Sequence, residues 1–160
     1  MHESCITPRT VALTYDDNPF ESVYDLLALL KSYNATATFF PNAPYHFNVW
    51  KLDKYIAAAY AAGHQIGLHT WDHVHMNDVE PQKVLDNLEK MNSWIYKVIG
   101  VRSTFVRPPW ALNTEDWRYQ KEDNVQSSID IINSWESSQV YIDDDSHFSS
   151  FTGILLLEEL

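Results

Sequence analysis

An α/β fold with a parallel sheet is what this chain predicts, on three observations. Short apolar runs of strand length alternate with longer segments whose apolar residues recur at helical spacing. Gly63 and Gly100 fall where helical patterns stop, in the position that caps a helix C-terminus. Polar residues able to do chemistry stand just past the apolar runs, where parallel α/β sheets build their sites.

The elements follow in order. Residues 10–15 read as the first strand, and Val23, Leu26, Leu27, Leu29, Leu30 and Tyr33 give a helical face after it. Residues 35–40 read as a buried strand. Residues 51–62 form an Ala-rich helix ended by Gly63, and residues 65–68 the next strand. Pro81 opens a long helix with Val84, Leu85, Leu88, Met91, Trp94, Ile95 and Val98 on its apolar face, ending at Gly100. A strand at 104–106 follows, then a helix at 125–135, a strand at 140–142 and an apolar C-terminal helix at 154–160. No repeat or low-complexity segment interrupts the pattern.

One domain suits a length of 160 residues, and 45% hydrophobic with 14% aromatic supplies a packed core. The formal net charge of -11, with no run of Lys or Arg, argues against nucleic acid or an anionic membrane as partner. A neutral polymer fits better, and six Trp and nine Tyr could stack on sugars, although most are expected in the core. No stretch is long and apolar enough to span a bilayer, and the first residues are not a secretory leader. The single Cys5 has no internal disulfide partner. Asn34-Ala35-Thr36 is a glycosylation sequon between a helix and a strand.

Two groups carry the chemistry. His69-Thr70-Trp71-Asp72-His73 sets two imidazoles four residues apart, on one face if the segment is a helical turn. Seven His in such a chain give that spacing by chance roughly 0.3 times, so the pair needs support. It comes from Asp16 and Asp17, adjacent carboxylates at the end of the first strand. Two imidazoles and one carboxylate make a facial set on a divalent ion, with positions left open for water and substrate. Asp16-Asp17 also reads as a turn or helix cap before Pro19. His2, His46, His64 and His75 read as structural or solvated.

These residues resemble the polysaccharide deacetylases (carbohydrate esterase family 4, the NodB-homology fold), most nearly the fungal chitin deacetylases. Thr14-Tyr15-Asp16-Asp17-Asn18-Pro19 is similar to the family's first motif, and the segment from Gly63 to His73 to its second, with Ala37-Thr38-Phe39-Phe40 between them. Arg107-Pro108-Pro109 resembles the start of the third. The resemblance extends from Cys5 to the final residues. It implies an irregular (β/α) barrel and metal-dependent N-deacetylation of N-acetylglucosamine polymers such as chitin. The implied ion is Zn2+, with Co2+ or Mn2+ able to take the same geometry, held by Asp17, His69 and His73. Asp16 would be the base, Arg107 would orient it, and Asp116 would prop the family's acidic histidine. The resemblance further implies a monomer in the extracellular space or cell wall, with the leader lost from this chain and Cys5 without its usual partner.

The chain departs from the family in three places. Asn18 replaces a glycine, a mild change because Asn tolerates left-handed backbone. After Pro109 the family has a tyrosine whose amide helps hold the oxyanion. Here Trp110 to Asp116-Trp117 reproduces the fourth motif instead, so one βα element is expected to be missing and residues 1–160 to form a single truncated domain. In the fifth motif Asp144 stands where the family's general-acid histidine belongs, between Asp143 and Asp145, and His147 matches a second, non-catalytic histidine. A positioned acid contributes ~10²–10⁴ in rate. The expectation is therefore an impaired deacetylase. The alternative is an inactive homologue that binds carbohydrate or metal.

Overall fold

The computed structural model describes residues 9–17, 22–43 and 49–110. Three strands, β1 (Leu13–Asp16), β2 (Ala37–Phe40) and β3 (Gln65–Ile66), form a parallel sheet in the order β1-β2-β3. Leu13 pairs with Ala37, Asp16 with Phe40, and Phe39 with Ile66. A parallel bridge from Leu68 to Val106 extends the sheet by one position. Parallel neighbours require crossovers, and helices α1 (Val23–Ser32) and α2 (Val49–Ala61) supply them. The third, α3 (Pro81–Ile99), separates β3 from the segment that carries Val106.

All four residues of β2 are buried, as a central strand covered on both faces requires. The core joins Phe39, Ile66 and Leu68 of the sheet region to Val23, Leu27 and Leu30 of α1, Ile56 and Ala59 of α2, and Val84, Leu88, Met91 and Ile95 of α3. Apart from Ala59, each such side chain contributes about 1.5–3 kcal/mol on burial. Trp94 Nε1 donates to Asp53 Oδ1 at 2.9 Å, tying α3 to α2 at the margin of this core. Gly63 and Gly100 both adopt left-handed backbone (φ 87° and 78°) just past their helices, where a side chain would strain the turn.

The elements differ from the sequence reading in detail. β1 starts at Leu13 rather than at residue 10, and it includes Asp16. β2 covers 37–40, not 35–40. β3 ends at Ile66, with Leu68 surviving as a bridge opposite Val106 in place of a full strand at 104–106. On α1 the buried stripe is Val23, Leu27 and Leu30, while Leu29 and Tyr33 are exposed. At 100° per residue, Leu29 lies about 200° round the helix from Leu27. Leu85 likewise leaves the buried stripe of α3, and Asn87 and Asn92 enter it. The elements expected at 125–135, 140–142 and 154–160 lie outside the described residues.

Candidate metal centre

Asp16 and Asp17 leave the carboxyl end of β1, and the segment from His69 to His73 follows β3. β1 and β3 run parallel on either side of β2 and deliver both groups to the same end of the sheet. Asp17 turns out of the strand in left-handed backbone (φ 67°), and its N–H donates to Phe40 O at 3.0 Å. Aspartate accepts that conformation more readily than most residues.

The histidine segment is not a helical turn. Thr70 and His73 have φ of 59° and 51°, and the backbone bonds run sideways to other segments. His69 N–H donates to Pro41 O (3.2 Å), Trp71 O accepts from Ala43 N–H (2.9 Å), and Asp72 N–H donates to the buried Asn87 Oδ1 (2.8 Å). These partners replace the intrahelical bonds a helix would need. The Trp71 ring lies beneath Lys90 Nζ at 4.4 Å and meets Trp94 edge-on at 6.4 Å. Asn87, Lys90 and Trp94 share one face of α3, so that helix anchors the loop.

Pinned in this way, His73 Nε2 lies 3.3 Å and His69 Nε2 3.7 Å from Asp17 Oδ1. The two imidazole centroids are 5.0 Å apart. Asp17, His69 and His73 each offer one ligand atom, all within 4.8 Å of one another, and the group could hold a metal ion. The tautomer of His69 supports that use. Its Nδ1 lies 2.7 Å from the carbonyl of Arg107, which can only accept, so Nδ1 carries the proton and Nε2 presents a lone pair. Burial lowers the His69 pKa below its ordinary value, against the opposing pull of the Arg107 carbonyl, Asp16 and Asp17. A neutral imidazole is the form that binds a metal.

Asp16 points beside this group. Arg107 Nη1 donates to Asp16 Oδ1 at 2.6 Å and to Thr14 Oγ1 at 3.0 Å. The guanidinium rests on the buried Phe40 ring, 4.3 Å from its centroid. Phe40 is in turn held against Gly67, where a Cβ would run into the ring carbons. Trp110 is 63% exposed and its ring stands 5.2 Å from His73 and 6.3 Å from His75. His75 Nδ1 lies 3.6 Å from Asp78 Oδ2. His64 is buried and accepts the Ala37 N–H at Nδ1 (3.2 Å), and burial lowers its pKa.

Of the residues singled out from sequence, Asp16, Asp17, His69, His73 and Arg107 come together. Asp116, Asp144 and His147 lie outside the described residues, as do Cys5, Asn18, His2 and His46. Sequence reasoning missed Asn42, and it gave Thr14, Phe40 and Gly67 no part in the site beyond their place in motifs. Asn42 Nδ2 donates to Asp17 Oδ1 at 2.7 Å. Its one sequence signal was position: a polar residue two places past a fully apolar strand end.

The family model for polysaccharide deacetylase matches residues 3–126. The chain belongs to the polysaccharide deacetylase family. A chitin deacetylase of Pestalotiopsis sp is 33% identical over 107 residues, covering 67% of this chain and 36% of that protein. A peptidoglycan-N-acetylglucosamine deacetylase of Listeria monocytogenes is 29% identical over 142 residues, covering 77% and 30%. The chain thus spans about a third of the length of these relatives. Among solved structures, the catalytic domain of a peptidoglycan N-acetylglucosamine deacetylase from Eubacterium rectale superposes with a TM-score of 0.69 at 24% identity, covering 83% of this chain and 60% of that one. The fold is therefore that of the carbohydrate esterase family 4 deacetylases, which are generally metal-dependent. Among the described residues no helix is long and apolar enough to cross a membrane.

Proposed function

We propose that this polysaccharide deacetylase family member hydrolyses the N-acetyl group of N-acetylglucosamine polymers such as chitin, at an impaired rate. The observation that carries the reading is the convergence of Asp17, His69 and His73 beside Asp16 and its partner Arg107. One carboxylate and two imidazoles suit zinc best, with cobalt or manganese as alternatives. When bound, such an ion supplies Lewis acidity, polarising the acetamide carbonyl and bringing a water pKa toward ~7. Asp16 takes the proton of the attacking water. Arg107 keeps Asp16 aimed, its Nη1 donating a charge-assisted hydrogen bond to Oδ1 at 2.6 Å.

The impairment rests on sequence. Asp144 stands in the place of the family's general-acid histidine, and Asp116 would prop a carboxylate instead of an imidazole. An aspartate among other carboxylates protonates a departing amine poorly at neutral pH. The wider reading is one truncated domain, residues 1–160, an irregular barrel short of one βα element. It works as a monomer on extracellular or cell-wall polysaccharide.

Acetate release from chitin oligomers with added zinc tests this. A slow release above the no-enzyme level, abolished by Asp16→Asn with zinc binding retained, supports it. Saturable binding of the oligomers with no acetate from the wild-type chain instead supports an inactive carbohydrate-binding homologue. Absence of zinc binding by the folded chain sinks both the metal site and the mechanism.

A further inference from the structure

Residues 40–43, the last residue of β2 and the three that follow it, bond to both segments of the candidate metal centre. Phe40 O accepts the Asp17 N–H, Pro41 O accepts the His69 N–H, and Ala43 N–H donates to Trp71 O. In the middle of this stretch Asn42, only 5% exposed, sends its side chain to Asp17 Oδ1 at 2.7 Å. That oxygen is the one that faces both His69 Nε2 and His73 Nε2.

We infer that Asn42 is a positioning residue for the metal centre, its amide hydrogen fixing the orientation of the Asp17 carboxylate toward the two imidazoles. The inference rests on the ligand reading proposed above. The Asp17 side chain is 60% exposed, so packing does little to select its rotamer. A buried donor does so, because Asn42 has its backbone fixed on both sides by the bonds of Pro41 and Ala43. An ionised carboxylate only accepts hydrogen bonds, so the amide must present its nitrogen and cannot flip without losing the contact. Donation to Oδ1 occupies one lone pair and leaves another for a cation. Outer partners of this kind typically govern metal affinity by ~10–100-fold.

The test uses the full chain, with zinc competed against a chromophoric chelator at pH 7.5. Asn42→Leu, close in volume but without donors, should raise the zinc Kd by about tenfold or more. Asn42→Ala should do the same, and it carries the comparison if the leucine variant does not fold. Asp17→Gly tolerates the positive φ and removes the carboxylate that Asn42 aims. In that background the Asn42 substitutions should leave the residual zinc affinity of the two imidazoles unchanged. Loss by the same factor in both backgrounds would reduce Asn42 to a structural residue and overturn the inference. So would wild-type affinity in both Asn42 variants, with the ligand reading left intact. A wild-type chain that binds no zinc removes the ligand reading itself.

Discussion

Gly67→Ala is expected to damage the fold and the site through a single contact. The added methyl would meet the Phe40 ring, which is 1% exposed and has no open side to retreat into. Forcing a carbon into a filled core costs about 1–3 kcal/mol. Phe40 also supports the Arg107 guanidinium at 4.3 Å, a cation–π contact worth about 1 kcal/mol where solvent is partly excluded. Moving the ring therefore makes the expected total about 2–4 kcal/mol, a large share of a typical domain's stability. Urea denaturation of the metal-free chain followed by tryptophan fluorescence measures it, with the midpoint falling and the slope unchanged. Phe40→Leu supplies the control, because the smaller side chain makes room. In that background Gly67→Ala should cost at least about 1 kcal/mol less. A Gly67→Ala chain within about 0.5 kcal/mol of wild type, or the same cost in both backgrounds, would refute the packing argument.

Asn87→Ala should cost about 1 kcal/mol by leaving the Asp72 N–H without its 2.8 Å acceptor, and should weaken zinc binding because the histidine loop loses an anchor on α3. Unchanged denaturation and zinc Kd would show that the loop is held elsewhere. The metal-free chain should also lose stability as pH falls from about 7.5 to 5.5. His64 and His69 both have lowered pKa values in the fold, through burial first. Below about 6.5 the unfolded imidazoles bind protons that the folded ones still refuse, which favours unfolding. The loss is absent above the unfolded pKa and is complete once pH passes below the folded values. Urea midpoints across that range check it, and His64→Gln should flatten the slope, whereas a rising midpoint on acidification would contradict the buried-imidazole account.

Much of this arrangement was legible in the chain because apolar spacing and strand-end chemistry are local signals. The alternation of β1, α1, β2, α2 and β3 follows from such runs, and α3 from its stripe of Val84, Leu88, Met91 and Ile95. Asp16-Asp17 and the His69/His73 pair stood out because each sits just past one of those runs. What stayed hidden depends on tertiary partners. The four-residue spacing of the histidines suggested a helical turn, yet Pro41, Ala43 and Asn87 supply bonds that hold an irregular loop. Leu29 and Tyr33 fit the helical pattern by type, but only the sheet's position decides which side of α1 is covered. Asn42 carries no spacing signal toward Asp17, 25 positions away. Neither does Phe40 signal the cation that lies on it.

The contact between Asp16 and Arg107 joins positions 91 apart. Partners so remote meet only after β1, β2, β3 and the bridge at Val106 are aligned, and closing long loops is what slows folding most. An unfinished chain therefore leaves Asp16 without the Arg107 guanidinium and His69 Nδ1 without the Arg107 carbonyl. The held arrangement of both side chains is thereby a late product of folding, set only once the polypeptide extends past Arg107.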